Sequence, residues 1–327
     1  MKTQGTHFAS AKGDIDVMPK IVLADAFNLS EEAYKKLISM AEVVRCDLND
    51  RPALIAAVRD ADVVVAEYAK INREIMDAAP QLKGIVVYGV GKNHIDLVAA
   101  AERRIEVANT AGANADAVAE LTFGLLLNCV RRIHEADRYI RDARWQSGES
   151  AALPESFHGT ELRGKSIGIV GYGNIGRRIA GIARGFGMVP YFWQPRPPKS
   201  EDETRFLSSL EELLSSVDIL SVNCPLNEES RGLLSRERLG VIKKGVVLIA
   251  TSRGNIVDED ALIELLASGH IAAAGLDVFA SEPLPANSPL LSAPNVVLTP
   301  HIGGSTHEAE ANISREIALQ CKKMLGR

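Results

Sequence analysis

The sequence predicts an α/β protein built from two doubly wound parallel sheets. Short apolar strands alternate with amphipathic helices along most of the chain, which is typical of parallel sheets covered by helices on both faces. One strand and helix are joined by a glycine-rich turn within residues 165–182, and an α/β unit without such a turn precedes them. The length of 327 residues is sufficient for two domains of ordinary size.

The glycine-rich turn reads G-Y-G-N-I-G and has the spacing G-x-G-x-x-G at Gly171, Gly173 and Gly176. The first glycine permits a tight bend, the second lets the backbone approach a pyrophosphate, and the third lets helix and strand pack closely. The unpaired N–H groups that begin the helix favour phosphate. Because the turn follows an apolar strand and begins an amphipathic helix, we interpret it as a dinucleotide site rather than a structural turn.

Composition and charge narrow the functional classes. A net charge of −5 gives no reason to expect a nucleic acid or an anionic membrane as partner, and no apolar run reaches membrane-spanning length. The four cysteines lie far apart with no C-x-x-C pair, so we expect free thiols and no disulfide or metal site. Residues 1–19 lack the apolar segment of a signal peptide, and we expect a loose tail and a cytoplasmic protein.

The first third of the chain predicts one parallel sheet and a ligand-binding loop. The predicted strands are Lys20–Asp25, Val43–Val44, Ala61–Ala66 and Ile85–Val87, with helices after Ser30 and over 52–58 and 73–78. The last of these strands leads into Y-G-V-G-K-N-H-I-D at 88–96. Its glycines place backbone N–H groups at the carboxyl edge of the sheet, where such folds bind ligands, although a purely structural turn explains the same residues.

The remaining elements predict a second sheet. A long helix is expected over 114–133, with one apolar face formed by Val118, Leu121, Leu125, Cys129 and Ile133 and with Asn114 or Asp116 as its cap. The break at 109–112 is a candidate domain crossing. Further strands are predicted at Val217–Asn223, Val246–Ala250, Ala272–Val278 and Val296–Leu298, and Ser305 with Glu308 predicts a capping box for the C-terminal helix.

Three polar residues follow three of these strands. Arg253 follows Val246–Ala250, Glu282 follows the strand ending at Val278, and His301 follows Val296–Leu298. Since parallel strands end at one edge, the three side chains are expected to gather beside the dinucleotide. An arginine can hold a carboxylate through two hydrogen bonds, and a histidine beside a glutamate is suited to exchanging a proton. Each also has a structural explanation as an ion pair or loop residue, but their common placement favours chemistry between an alcohol and a ketone.

Four motifs together resemble the D-isomer-specific 2-hydroxyacid dehydrogenases: G-Y-G-N-I-G, T-S-R-G-N-I-V-D, G-L-D-V-F-A-S-E-P-L and P-H-I-G-G. The resemblance extends from about Lys20 to the C-terminus. It implies a Rossmann cofactor domain (109–299) inserted into a flavodoxin-like substrate domain (20–108 and 300–327), and a homodimer joined through the cofactor domain.

The resemblance also implies roles for individual residues. Arg253 would bind the substrate carboxylate and carbonyl, His301 would exchange the proton, and Glu282 would hold His301. The candidate substrate loop is Gly89, Val90 and Gly91. The candidate cofactor contacts are Gly171, Tyr172, Gly173, Asn174, Ile175, Gly176, Gln194, Arg196, Pro225, Thr251, Asp277 (at the nicotinamide end) and Gly303.

The cofactor and the substrate are less closely defined. An acidic residue about 20 residues past the glycine turn would bind the ribose of NAD, whereas this chain has Gln194 followed by Arg196 and Lys199, which favours NADP. A proline-rich loop with incidental charge is the alternative. Ala250 and Asn223 stand where many members have Asn and His.

Glyoxylate, hydroxypyruvate and 3-phosphoglycerate all remain open as substrates, with Lys92 and His94 as undecided contacts, and a C-terminal regulatory domain is not expected. Two other functions are alternatives. One is a dinucleotide-sensing corepressor on the same scaffold. The other is a formate dehydrogenase, which the glutamate at position 282 disfavours, since that relative has Gln there.

Overall fold

Two parallel sheets organise the molecule, as the sequence predicts. The computed structural model describes residues 18–25, 27–47, 49–146, 152–198 and 204–327. The predicted tail therefore lies almost wholly outside the described residues, and so does Lys199.

The first sheet has five parallel strands in the order β2-β1-β3-β4-β5. They are β1 (Lys20–Leu23), β2 (Glu42–Arg45), β3 (Val63–Ala66), β4 (Gly84–Val87) and β5 (Glu106–Asn109). The central strands β3 and β4 are buried along their whole length because helices cover both faces of the sheet. This is the strand order of a flavodoxin-like doubly wound domain.

The second sheet has seven parallel strands in the order β12-β11-β10-β9-β6-β7-β8. They are β6 (Ser166–Val170), β7 (Val189–Trp193), β8 (Arg205–Phe206), β9 (Ile219–Val222), β10 (Val246–Ala250), β11 (Ile271–Leu276) and β12 (Val296–Leu298). The chain runs outward from β6 to β8 and then crosses to β9 on the other side of β6. That reversal is the switch point of a Rossmann sheet, where ligands bind.

Helices fill the connections between strands. They are α1 (Glu31–Met40), α2 (Arg51–Ala57), α3 (Arg73–Asp77), α4 (Leu97–Glu102), α5 (Ala115–Arg131), α6 (Ile133–Arg141), α7 (Asn174–Gly185), α8 (Leu210–Ser216), α9 (Arg236–Gly240), α10 (Glu259–Ala267) and α11 (His307–Met324). Ser30, after which a helix is predicted, and Asp258 accept N–H groups at the starts of α1 and α10. The helices α4, α6 and α9 and the strands β5 and β8 are not among the elements predicted from the sequence.

The C-terminal helix α11 returns to the first sheet. It packs against α1 and β4, and Ile313, Ile317 and Cys321 join the apolar cluster around Ile21 and Leu23. In contrast, α5 packs against α7 and against β10 and β11 of the second sheet. The first part of the chain and its C-terminal helix therefore pack around the five-stranded sheet, and the segment between them forms the seven-stranded sheet.

Two local predictions were wrong. The long helix does not reach residue 133: α5 ends at Arg131, Arg132 is left-handed with φ 50°, and Ile133 begins α6 with 54% of its surface exposed. The Asn128 side chain accepts the N–H of His134 at 3.0 Å and so helps to start the new helix. The cap of α11 is Thr306, not Ser305, because Thr306 Oγ1 accepts the Ala309 N–H at 3.1 Å.

Candidate active site

The glycine-rich turn has the shape that a pyrophosphate requires. Gly171 is left-handed with φ 96°, and a Cβ atom there would overlap the backbone of Cys224. A Cβ atom on Gly176 would overlap the Gly171 carbonyl, so this helix crosses its strand closely. At Gly173 a Cβ atom would meet no atom of the described residues within 4 Å, which leaves the backbone open to a ligand. The turn therefore fits a dinucleotide.

The residues around the turn divide into structural and accessible groups. Tyr172 is buried, stacks on Phe192 at 3.9 Å and donates to Thr204 at 2.6 Å, so only its backbone faces the turn. Ile175 packs partly into the core, whereas Asn174 is exposed beside Gly112. At the end of β7, Gln194 is half-buried and Arg196 is exposed.

Two further candidate cofactor residues lie at the carboxyl ends of β9 and β10. The Pro225 carbonyl accepts the Ser230 hydroxyl at 2.6 Å, which fixes the turn after β9. Thr251 is buried and shares a hydrogen bond of 3.2 Å with Thr122 of α5. Both positions follow adjacent strands at the switch point, so they border the space above the glycine turn.

His301 and Glu282 meet at the other end of this edge. His301 Nδ1 lies 2.7 Å from Glu282 Oε2, and both side chains remain about one-third exposed, at 36% and 34%. The second oxygen of Glu282 accepts the Phe279 N–H at 2.9 Å. Burial raises the pKa of this carboxyl, but the hydrogen bonds from His301 and Phe279 and the charge of Arg253 outweigh it, so the pKa lies below its ordinary value. The glutamate is therefore a carboxylate that holds the imidazole.

The backbone at His301 is left-handed, with φ 54°. Asp277 holds this strained turn, because its fully buried carboxylate accepts the Thr299 hydroxyl at 2.6 Å and the N–H groups of Ile302 and Gly303, both at 2.8 Å. Asp277 and Gly303 therefore have a structural function beneath the histidine, which the sequence analysis did not predict.

Arg253 connects the second domain to the loop of the first. Its backbone is extended after β10, and Nη1 donates to the Ser252 carbonyl at 2.7 Å. A Cβ atom on Gly91 would overlap the end of the Arg253 side chain, so the loop lies directly against the guanidinium. The predicted substrate loop and the predicted anion-binding side chain are thus neighbours.

Residues at the domain crossing hold the substrate loop. Gly89 has φ 108°. Its N–H donates to the Thr110 hydroxyl at 2.9 Å, and its carbonyl accepts the Thr110 N–H at 3.0 Å. Asn109 donates to the Val90 carbonyl at 2.8 Å. The loop also reaches the second domain, where Asn93 donates to the Leu226 carbonyl at 3.1 Å. This network fixes the loop at the mouth of the cleft.

The two undecided residues of this loop have different surroundings. Lys92 Nζ donates to the Val107 carbonyl of β5 at 2.8 Å. The His94 ring is bonded to the Ala66 carbonyl, while its Nε2 is buried without a partner. Among the described residues, the other buried side-chain atoms without a partner are Asn114 Oδ1, Asn223 Oδ1 and Ser252 Oγ. All four residues lie in loops at the carboxyl ends of strands or beside the glycine turn, where a polar ligand would satisfy them.

Glu67 and Tyr68 are residues of the cleft that the sequence analysis missed. They follow β3 directly, and Glu67 lies within electrostatic range of His301 while Tyr68 lies within range of Glu282 and Arg253. The signal was available, since these residues end a predicted parallel strand just as Arg253 does.

Comparison with known proteins agrees with this geometry. The family model described as the NAD binding domain of D-isomer specific 2-hydroxyacid dehydrogenases matches residues 123–303, more than half of the chain. A glyoxylate reductase of Thermococcus litoralis is 42% identical over 271 residues, which cover 82% of this chain and 82% of that protein. The chain belongs to the D-isomer specific 2-hydroxyacid dehydrogenase family.

Other members of the family are similar over most of this chain. A hydroxypyruvate reductase of Thermotoga maritima is 37% identical over 303 residues, covering 91% of this chain and 96% of that protein. A D-3-phosphoglycerate dehydrogenase of Methanocaldococcus jannaschii is 36% identical over 312 residues, covering 94% of this chain but 58% of that protein. The dehydrogenase is accordingly an oxidoreductase that acts on the CH–OH group of 2-hydroxy acids.

Solved structures of this family contain both nicotinamide cofactors. An NADPH-dependent glyoxylate/hydroxypyruvate reductase from Sinorhizobium meliloti, in complex with NADP and malonate, has a TM-score of 0.82 at 31% identity and covers 94% of each chain. An NAD-dependent formate dehydrogenase from Staphylococcus aureus, in complex with NAD, has a TM-score of 0.78 at 30% identity and covers 94% of this chain and 95% of that one. This dehydrogenase uses a nicotinamide dinucleotide.

Among the described residues, every helix is too short or too polar to span a membrane. Nor do the described residues contain a group of three His, Cys, Asp or Glu side chains placed to hold a metal ion.

Proposed function

We propose that this dehydrogenase reduces a small 2-keto acid of the glyoxylate or hydroxypyruvate type, with His301 as the proton donor. The observation that carries the proposal is the 2.7 Å bond between His301 Nδ1 and Glu282 Oε2, located beside Arg253. Lys92 donates to the backbone of β5, which disfavours it as an anchor for a phosphorylated substrate. The glyoxylate and hydroxypyruvate reductases among the relatives support the same substrate class.

Each proposed catalytic side chain has one task. The nicotinamide, when bound, supplies a hydride to C2 of the keto acid. Arg253 binds the carboxylate and polarises the carbonyl, and the backbone of Val90 and Gly91 supports the carboxylate from the first domain. His301 Nε2 gives its proton to the oxygen that becomes the alcohol. Glu282 holds the ring in position for this transfer.

We propose NADP rather than NAD as the preferred cofactor. Gln194 and Arg196 lie at the end of β7, where a carboxylate would repel a 2′-phosphate. Arg196 is exposed and therefore accessible to a phosphate. Replacing Arg196 by Ala should lower the ratio of kcat/KM for NADPH to that for NADH by about tenfold, the cost of losing one charge-assisted hydrogen bond. An unchanged ratio would contradict the preference.

We propose that the cofactor domain is inserted into the substrate domain, with crossings near Asn109 and Pro300. The packing of α11 on the first sheet and of α5 on the second supports these boundaries. Closure of the two domains would exclude water around Arg253 and strengthen its hold on the substrate. We further propose that the enzyme acts in the cytoplasm, where four free cysteines would stay reduced.

We propose a homodimer joined through α6. None of the nine residues of this helix, all of which the structure describes, is buried, although Ile133 and Ile140 are apolar and more than half exposed. Trp145 follows the helix and is also exposed, at 56%. Light scattering after gel filtration should give twice the chain mass for the native protein and a smaller mass for Ile140→Glu. A native monomer would contradict the proposal.

A panel of 2-keto acids with NADPH and NADH, followed at the nicotinamide absorbance, tests the enzymatic proposal. Oxidation of NADPH with glyoxylate or hydroxypyruvate is expected. Tight cofactor binding without turnover of any acid on the panel would instead favour a dinucleotide-sensing protein.

A further inference from the structure

Three side chains of the first domain face the reacting groups from across the cleft: Glu67, Tyr68 and His94, which we call the acceptor wall. Glu67 lies within electrostatic range of His301, Tyr68 within range of Glu282 and Arg253, and His94 within range of Arg253. Tyr68 is 65% exposed, so this wall is open to the cleft. The mechanism proposed above uses none of these three residues.

The chain holds the acceptor wall in place with its own hydrogen bonds. The buried carboxylate of Asp25 accepts the N–H groups of Glu67 at 2.6 Å, Tyr68 at 3.2 Å and Ala69 at 2.8 Å. The His94 segment is joined to the same loop, because the Ile71 N–H donates to the His94 carbonyl at 3.0 Å. The positions of the three side chains are therefore set before a ligand arrives.

The chemistry of the wall is that of hydrogen-bond acceptors. The Ala66 carbonyl accepts from the His94 ring, and since Nε2 is the ring nitrogen without a partner, Nδ1 is the donor and Nε2 carries a free lone pair. The Tyr68 hydroxyl donates to the Glu67 carboxyl and leaves this carboxyl with acceptor capacity towards the cleft. Of these two acceptors, the acidic Glu67 carboxyl is the one that a ligand can reach, because Nε2 of His94 is buried.

A 2-keto acid has three substituents on C2. Its carbonyl oxygen and its carboxylate are both assigned above to groups of the second domain and of the 89–91 loop. The third substituent, which begins at C3, is left to the remaining side of the cleft. That side is the acceptor wall.

We propose, on the basis of the function proposed above, that the acceptor wall selects 2-keto acids whose C3 substituent donates a hydrogen bond and rejects those with a second anionic group there. A hydroxyl on C3 can donate to the Glu67 carboxyl. A phosphate or carboxylate on C3 would instead meet this acidic side chain, with Lys92 engaged elsewhere. Hydroxypyruvate has the first chemistry and 3-phosphohydroxypyruvate the second.

The rejection of anions should increase with pH. Burial raises the pKa of Glu67 to about 7; the neighbouring Asp25 raises it too, while Tyr68 and the charge of His301 lower it. Tyr88 also lies within electrostatic range of Glu67. Glu67 therefore gains its full negative charge only as the pH rises through that value, and repulsion of a second anion rises with it.

The test compares three substrates on the native enzyme and on Glu67→Gln: glyoxylate, which has no C3, hydroxypyruvate, and 3-phosphohydroxypyruvate. We expect the kcat/KM ratio of hydroxypyruvate to glyoxylate to fall about tenfold in the variant, and that of 3-phosphohydroxypyruvate to glyoxylate to rise about tenfold. Between about pH 6 and pH 8, the kcat/KM ratio of 3-phosphohydroxypyruvate to glyoxylate should fall more steeply in the native enzyme than in Glu67→Gln. The comparison with the variant corrects for titration of the substrate phosphate.

Two further variants sharpen the result. Glu74→Gln removes a carboxylate from the exposed Arg51 ion pair of the same domain and should leave both substrate ratios unchanged. Tyr68→Phe removes the hydroxyl that helps Glu67 to ionise, so the pH dependence should shift to higher pH. Unchanged ratios in Glu67→Gln, with normal turnover of glyoxylate, would overturn the role of the wall. Absence of turnover with any keto acid in the native enzyme would overturn the proposed function itself.

Discussion

Two histidines lie in the cleft, and they have different partners. His301 in the second domain is bonded through Nδ1 to the Glu282 carboxylate at 2.7 Å. His94 in the first domain is bonded to the Ala66 backbone carbonyl, and its Nε2 has no partner among the described residues. The two residues have the same side chain but not the same environment.

The difference teaches that the partner of a histidine determines its chemistry. A carboxylate bonded to one ring nitrogen orients the imidazole, which suits a group that must deliver a proton from the other nitrogen. At His94, burial lowers the pKa; the Ala66 carbonyl and Asp25 oppose this effect, and the charge of Arg253 adds to it. His94 is therefore suited to accept a hydrogen bond as a neutral ring, while His301 is suited to transfer a proton.

The largest expected effect comes from exchanging each histidine for asparagine. His301→Asn should lower kcat by about 10²–10⁴-fold, because it removes the proposed proton donor to the carbonyl oxygen. The dissociation constant for NADPH, measured by fluorescence, should remain nearly unchanged. His94→Asn should leave kcat much closer to the native value, since it removes no proton donor. If the two variants lost kcat equally, the proposed division of roles would be wrong.

A smaller effect is expected from the carboxylate beneath His301. Asp277→Asn keeps the size of the side chain but places an amide group among three donors, so the left-handed turn at His301 should relax. A displacement of about 1 Å can cost about 10²-fold in rate, and we expect kcat to fall by about ten- to a hundredfold. As a control, Asp50→Asn makes the same change at an exposed helix cap of the first domain.

Measuring both kcat and the affinity for NADPH in Asp277→Asn distinguishes two roles of Asp277. A loss of kcat at constant NADPH affinity indicates a positioning residue for His301. A weaker NADPH affinity indicates that the carboxylate also contacts the nicotinamide, as the family resemblance implies. Unchanged kinetics would contradict both.

Local motifs made the second domain predictable. The glycine turn, the strands before Arg253 and His301, and the parallel order of strands all follow from contiguous residues whose spacing has one physical explanation. The gathering of Arg253 and His301 needed only the rule that parallel strands end at one edge. These features do not depend on contacts between distant parts of the chain.

Features that depend on distant contacts were not predictable in the same way. The end of α5 at Arg131 depends on a left-handed residue followed by a side-chain bond from Asn128, and helical periodicity continues through it without a visible break. The structural function of Asp277 depends on hydrogen bonds from a turn that begins 22 residues further along the chain, at Thr299. Lys92 was undecided because only the fold reveals that its ammonium group reaches the β5 backbone.

The smallest expected effect concerns stability and compares Glu282 with a second glutamate of the same domain, Glu259. Hydrogen bonds lower the pKa of Glu282 from 4.5, whereas burial raises that of Glu259 from the same value. A carboxyl with a lowered pKa in the folded protein adds stability above its unfolded pKa and loses it as the pH falls through the folded pKa. A carboxyl with a raised pKa does the opposite, because it is protonated more easily folded than unfolded.

Thermal unfolding of the two glutamine variants from about pH 3 to about pH 6 should therefore give opposite trends. The Tm advantage of the native protein over Glu282→Gln should grow as the pH rises, because ionised Glu282 holds His301 and the Phe279 N–H. Its advantage over Glu259→Gln should shrink across the same range, because partial burial makes ionisation of Glu259 unfavourable. Parallel trends would mean that the bond between Glu282 and His301 does not persist in solution, and the proton donor would then lack the partner that distinguishes it from His94.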